Sequence, residues 1–204
     1  MAATSCSRVE TGQRIALLEL AADAIERRLQ GLTSAQPPDL ADLPAALALA
    51  GSSFVTLSTA CGLRGCCGSL EPMRALAHDV WRNAQASAFA DPRFLPLARE
   101  EWPDVTELEV SVLSGFEHLE VRSEADLLRR LEPGRDGLVL AWHGRRATFL
   151  PKVWEQVEDA REFLRRLKDK AGWDRDFWPT DLEVLRYRTE CMALERPARR
   201  GRTH

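Results

Sequence analysis

The segment from Ser53 to Leu70 limits the fold of this chain more than any other. Its first part, SFVTLS at Ser53–Ser58, is rich in β-branched and aromatic residues and predicts a strand. The strand leads into LRGCCGSL at Leu63–Leu70, which we call the motif segment and which carries two adjacent thiols between two glycines. Glycine allows tight turns and close backbone contacts, so the motif segment is expected to form a loop, turn or bulge after the strand.

The composition indicates a globular chain of one large domain or two small ones. Of its 204 residues, 45% are hydrophobic and 29% are charged, which suffices for a sizeable core. The net charge of −3 gives no reason to expect a nucleic-acid partner. No apolar run approaches the ~20 residues of a membrane span, and no secretory signal is recognisable. With an odd count of 5 cysteines, a cytoplasmic protein with mostly reduced thiols is expected.

Helices and strands are interspersed along the rest of the chain. Apolar spacings of three and four, with capping residues, predict helices at about 12–30, 72–91, 123–131 and 159–172, and a short helical turn at 44–50. β-Type patterns predict strands at 53–58, 108–113, 137–142, 146–150 and 182–193, with a hairpin turn at His143-Gly144. Without regular βαβ order or GxGxxG, this indicates an α+β fold with a mixed, largely antiparallel sheet and flanking helices.

Three of these elements predict which side chains are buried. On the first helix, which Gly31 is placed to end, the predicted core face is Ile15, Leu18, Ala22, Ile25 and Leu29. On the second helix, expected to open at Pro72, it is Leu76, Val80, Ala84 and Ala88. In the last strand, one side is expected to carry Leu185, Tyr187, Thr189 and Cys191.

The motif segment resembles the signature of the AMMECR-type domain family, whose bacterial and archaeal members are called AmmeMemoRadiSam system protein A. That signature is LRGC-x-G, and it is matched by Leu63, Arg64, Gly65, Cys66 and Gly68. Further matches follow in order at 51–57, 83, 91–97, 109–113, 133–137, 148–151, 170–172 and 186–187. The resemblance covers about residues 12–194. Residues 1–11 are expected to be a disordered N-terminus and 195–204 a disordered basic tail.

The resemblance implies a fold and a cellular setting. The fold is α+β with a mixed sheet, in two unequal lobes of one domain. The expected partners are a Memo-like protein and a radical S-adenosylmethionine protein, with a small-molecule ligand and neither nucleic acid nor membrane. The family brings no settled reaction, so whether the chain is an enzyme stays open, and the cofactor stays unknown.

Cys66 and Arg64 are the candidate catalytic residues. A nearby guanidinium or helix N-terminus favours the thiolate, so Cys66 is a candidate nucleophile and Arg64 a candidate anion clamp. Gly65 and Gly68 would form a backbone platform, with the amides of Gly68 and Ser69 placed to bind an oxyanion. The alternative is structural: the glycines shape a turn or bulge, and Cys66 is a small buried side chain.

Other binding candidates are Asn83, Arg93 and Glu109. Asn83 either contacts a ligand or ties its helix to the motif segment, and Arg93 is a candidate anion ligand. Glu109 is expected to be exposed or to pair with Arg64 across the sheet. His78 is the nearest candidate base but is more typical of a surface histidine, off the apolar stripe of its helix. No metal site is predicted.

The adjacent thiols are expected to play different parts. Cys67 stands where the family usually has isoleucine or threonine, and successive side chains of an extended chain point to opposite faces, so Cys67 is expected to pack away from Cys66. Three functions stay open. The first is an enzyme, or enzyme partner, acting on a small anionic molecule. The second is a non-catalytic interaction module, and the third is a redox-responsive protein using both thiols.

Overall fold

The structure, a computed structural model, describes residues 10–32 and 36–196. It contains two four-stranded sheets, one in each of two compact units. The described part of the first unit comprises residues 10–32, 36–113 and 190–196, and that of the second unit comprises residues 114–189. The expected α+β class, with two unequal lobes, is confirmed. The segments expected to be disordered lie outside the described residues, except for 10, 11, 195 and 196.

The described residues form four α-helices and eight strands, each type numbered in chain order. The helices are α1 (Thr11–Leu29), α2 (Leu76–Phe89), α3 (Glu124–Arg130) and α4 (Ala160–Ala171). The strands of the first sheet are β1 (Ser53–Thr59), β2 (Gly62–Gly68), β3 (Val105–Leu113) and β8 (Thr189–Glu195). Those of the second are β4 (Glu117–His118), β5 (Gly137–Trp142), β6 (Arg145–Phe149) and β7 (Glu183–Tyr187).

The first sheet has the strand order β2-β1-β3-β8, so β2 is an edge strand. β1 pairs antiparallel with both β2 and β3. Val55, Leu57, Leu108 and Val110 point to the face that forms a common core with α1 and α2. The alternate residues of these strands therefore point to the other face of the sheet.

Helix α1 forms where expected, and its buried stripe is shifted from the predicted one: Leu18, Ala22 and Leu29 pack only partly buried against the core. Ile15 is 53% exposed, whereas Leu17, Ala21 and Ala24 are fully buried, and Ile25 alone belongs to both the predicted and the fully buried set. The helix is rich in apolar residues on more than one side, so spacing alone did not fix which stripe meets the sheet. Gly31, with a φ of 86°, ends the helix as predicted.

Helix α2 begins at Leu76, so the expected start at Pro72 is wrong. The residues before it are held in extended pairing, because Gly51 N donates to Arg74 O and Leu76 N donates to Leu49 O. The predicted apolar face is confirmed: Leu76, Val80, Ala84 and Ala88 are all buried.

The second unit has its own core beneath the β5–β6 hairpin. Antiparallel β5 and β6 turn at His143 and Gly144, whose φ values of 45° and 80° are typical of a tight hairpin turn. Ser123 and Asp159 cap α3 and α4 as the sequence predicts, and Phe163, Leu164 and Leu167 of α4 are fully buried.

The predicted single strand at 182–193 is wrong, because it is two strands in different sheets. β7 pairs with β4 and β5, and β8 lies beside β3. The break falls at Arg188, whose amide donates to Ser114 Oγ at 2.9 Å and whose carbonyl accepts from Ser114 N at 2.8 Å. The predicted shared side ends here: Tyr187 is buried, but Cys191 is exposed.

Candidate functional site

The motif segment is a strand, not the expected loop. Leu63 to Gly68 lie in β2, where Cys66 is opposite Thr56 and Gly65 is opposite Leu57 of β1. A register shift between Leu57 and Ser58 marks the predicted irregularity, near the start of the strand. The backbone donors of an edge strand need partners, and here α2 and the residues after it supply them.

The two motif glycines fit close contacts. A Cβ at Gly65 would overlap the carbonyl oxygen of Ser87 on α2. A Cβ at Gly68 would overlap the ring of Phe54 on β1. Ser87 also accepts the amide of Cys67 at 2.9 Å through its hydroxyl, which in turn donates to Val55 O at 2.6 Å. These contacts hold β1 and β2 closely against α2.

A buried carboxylate fixes the end of the motif segment. Asp79 is fully buried and accepts from Ser53 N, from the Ser69 hydroxyl and from Arg74 Nη1, at 2.6–2.9 Å. Asn83 donates to the same carboxylate at 2.9 Å and to Ser53 O at 3.0 Å. The contacts of Asn83 are therefore those of a tie between helix and sheet. The amide of Ser69, expected to bind an oxyanion, donates instead to Ser53 O at 3.0 Å.

Arg64 pairs with Glu101, so of the two placements expected for Glu109 the pairing with Arg64 is wrong. Arg64 Nε and Nη2 donate to the two carboxylate oxygens of Glu101 at 3.2 and 3.0 Å, and Nη2 also donates to Leu95 O at 3.0 Å. This pairing lowers the pKa of Glu101. Arg64 lines a pocket of about 450 Å³, which Cys61 also lines and Cys66 does not.

Cys66 is held through its backbone and presents its thiol on the opposite face of the sheet from α2. Its amide donates to Asp91 Oδ2 at 2.9 Å, and its carbonyl accepts from Arg93 Nη2 at 3.4 Å. The hydroxyl of Thr56, directly across on β1, donates to Cys66 Sγ at 3.4 Å. The thiol is half-buried and free.

Glu109 lies on the same face as the thiol. It is directly opposite Thr56 in the β1–β3 pairing, so Cys66, Thr56 and Glu109 form one row across three strands. Glu109 Oε1 accepts from the Ser111 hydroxyl at 3.3 Å. A thiol, a hydroxyl and a carboxylate therefore lie in one row, on the face of the sheet opposite the core that contains α1 and α2.

Cys67 points to the other face, as expected for a neighbouring strand residue. It is directly opposite the buried Val55. Burial raises the pKa of the Cys67 thiol, and the charge of Asp91 adds to the effect. Both Cys66 and Cys67 are free thiols. His78, the other candidate near the motif, contacts Pro38 O through Nε2 at 3.2 Å.

Sequence reasoning missed four residues that contact the motif segment or its neighbours. They are Thr56, Asp79, Ser87 and Glu101. Asp91 is also absent from the predicted site residues, although it accepts the Cys66 amide. A full register of β1 against β2 would have paired Thr56 with Cys66, but the motif segment was not expected to be a strand. No sequence signal pairs Arg64 with Glu101, 37 residues away.

Fold and site together define an α+β protein whose first sheet presents a thiol from an LRGC-x-G edge strand. The family model described as AMMECR1 matches residues 18–192, and the chain belongs to that family. A protein from Methanothermobacter thermautotrophicus is 38% identical over 86% of this chain and 91% of its own length. One from Thermofilum pendens is 32% identical over 93% of each chain. The crystal structure of an uncharacterised protein from Pyrococcus horikoshii is similar, with a TM-score of 0.85 and 33% identity, over 94% of this chain and 96% of its own.

Proposed function

We propose that the protein is an enzyme, or the thiol-bearing partner of one, that acts on a small molecule through Cys66. One observation carries this proposal. Arg64, Gly65 and Gly68 make contacts that hold β2 in place, whereas the thiol of Cys66 points away from that packing. Cys66 is therefore the nucleophilic side chain of the motif that this packing leaves unused.

The neighbours of the thiol have chemical roles in this proposal. Cys66 Sγ is the nucleophile, and the Thr56 hydroxyl orients it by donating a hydrogen bond. Glu109 lies in the same row but two strands from Cys66, beyond direct hydrogen-bond reach of the thiol, and is assigned a role in binding the substrate. Arg93, 54% exposed beside the Cys66 carbonyl, replaces Arg64 as the group that attracts an anionic substrate.

The family resemblance supports a cellular setting for this function. We propose that the protein works with a Memo-like protein and a radical S-adenosylmethionine protein in the cytoplasm. Cys61, Cys66 and Cys67 are free thiols, which suits a reducing compartment. Among the described residues, no helix combines the length and apolarity that a bilayer crossing requires.

The proposal is tested by mapping thiol reactivity in the folded protein. Limiting iodoacetamide at pH 7 should modify Cys66 faster than Cys67, whose pKa is raised. Trypsin releases both thiols in one peptide, residues 65–74, so tandem mass spectrometry must assign the site. Cys66→Ser should abolish the fast labelling of this peptide, and the matched control Cys67→Ser should keep it. Fast labelling of peptide 65–74 that survives Cys66→Ser contradicts the proposal, whatever the exposed Cys61 and Cys191 do.

A second candidate function is a non-catalytic interaction module. It is favoured by how fully the motif is used in holding β2, through the Arg64–Glu101 pair and the close contact of Gly65 with Ser87. A pull-down with a Memo-like protein separates the two functions when combined with the thiol map. Binding that survives Cys66→Ser, together with a Cys66 that iodoacetamide does not modify in the folded state, favours the module.

A further inference from the structure

Two residues just after α2 bind both peptide groups of Cys66. Asp91 Oδ2 accepts the Cys66 amide at 2.9 Å, and Arg93 Nη2 donates to the Cys66 carbonyl at 3.4 Å. We propose that Asp91 is a positioning residue, which with Arg93 sets the orientation and the charge environment of the Cys66 thiol. This inference rests on the proposed function of Cys66.

Asp91 is built into this position. Only 5% of the residue is exposed, and Oδ1 accepts the Arg93 amide at 3.1 Å. The Arg93 guanidinium adds Nε to Oδ1 at 3.0 Å and Nη2 to Oδ2 at 2.7 Å. These bonds hold the pKa of Asp91 well below its usual range, so its carboxylate stays ionised at neutral pH. The carboxylate has no other charged partner among the bonds that the described residues form.

The charges of Asp91 and Arg93 act in opposite directions on the neighbouring thiols. At Cys67, next to Cys66, the carboxylate of Asp91 raises the pKa and the guanidinium of Arg93 lowers it. Removing one partner therefore leaves the other unopposed. Asp91→Asn and Arg93→Gln are expected to change thiol reactivity in opposite directions, which a purely structural role would not produce.

The test measures Cys66 itself in three variants of the full chain. In Asp91→Asn, amide exchange at Cys66, followed by NMR, should accelerate at least about tenfold because a charge-assisted hydrogen bond is lost. Iodoacetamide should react faster with Cys66 in this variant and more slowly in Arg93→Gln. The matched control is Asp126→Asn, since Asp126 also accepts a backbone amide and two arginines, but in the second unit. It should leave both readouts at Cys66 unchanged.

The outcomes separate this inference from the proposed function. Exchange at Cys66 within twofold of the parent in Asp91→Asn, or equal shifts of thiol reactivity in both variants, overturns the positioning role. A Cys66 that does not react in the parent protein contradicts the proposed function. Accelerated exchange of the Cys66 amide in Asp91→Asn would still support the positioning role of Asp91. If Asp91→Asn fails to fold, Arg93→Gln decides alone: an unchanged Cys66 alkylation rate overturns the inference.

Discussion

At Gly65 a missing side chain lets β2 lie directly against α2, where any Cβ would meet the Ser87 carbonyl. The sequence indicated that the motif glycines allow close approach, and this part of the reasoning agrees with the structure. The partners of Arg64 and Cys66 were not predictable, because Glu101 and Asp91 come from distant positions in the chain. Single residues therefore indicated the close backbone approach at the motif but not the partners of its side chains.

Replacing Gly65 tests this close contact. Gly65→Ala should lower the free energy of unfolding by about 1–3 kcal/mol, because the neighbour is backbone and cannot turn aside. Gly12→Ala is the matched control: a Cβ there meets nothing within 4 Å, and the residue lies in α1, so stability should hold or rise. Urea unfolding measures both. Equal stability of Gly65→Ala and the parent would contradict the contact.

Among the elements, strong local signals were predicted well and context-dependent ones were not. The β5–β6 hairpin and the caps of α3 and α4 follow from their own residues, and these predictions are confirmed. β2 looked like a loop because glycine is rare in strands, yet pairing with β1 and contacts from α2 hold it extended. The break between β7 and β8 depends on Ser114, which no local pattern near Arg188 reveals.

The β5–β7 pairing provides a test through pH. Burial raises the pKa of Tyr187 to about 12, so the folded state favours the neutral phenol. The contribution of the neutral Tyr187 phenol to the free energy of unfolding should be complete below the ordinary pKa of 10.0. This contribution should be lost as pH rises from there toward about 12. Tyr187→Phe should remove that pH-dependent loss.

The same substitution has an effect at neutral pH. It should cost about 1 kcal/mol, because the hydroxyl bonds to Thr148 and to Phe149 O. Urea unfolding of both proteins at pH 8 and pH 11 gives the comparison. Parallel loss of stability with pH in the parent and in Tyr187→Phe would contradict it.

In the whole molecule, the chain forms two units with separate cores. Residues 114–189 form the second unit, and in the sequence they interrupt the first unit after β3. Composition and element order predicted the α+β class. They could not show that the last strand returns to the first sheet, since such pairing joins residues far apart in sequence. The candidate site belongs wholly to the first unit, where β1, β2 and β3 supply Thr56, Cys66 and Glu109.

The central claim is that Cys66 is the group through which the protein acts on a small molecule. The most direct test incubates the folded protein with the small-molecule fraction of a cell extract and then measures iodoacetamide labelling at each thiol. The account predicts that a component of the extract protects Cys66 or forms an adduct with it. Cys67→Ser should keep this effect, and Cys66→Ser should lose it. Labelling of Cys66 that no fraction changes, in a protein whose fold is intact, would contradict the account.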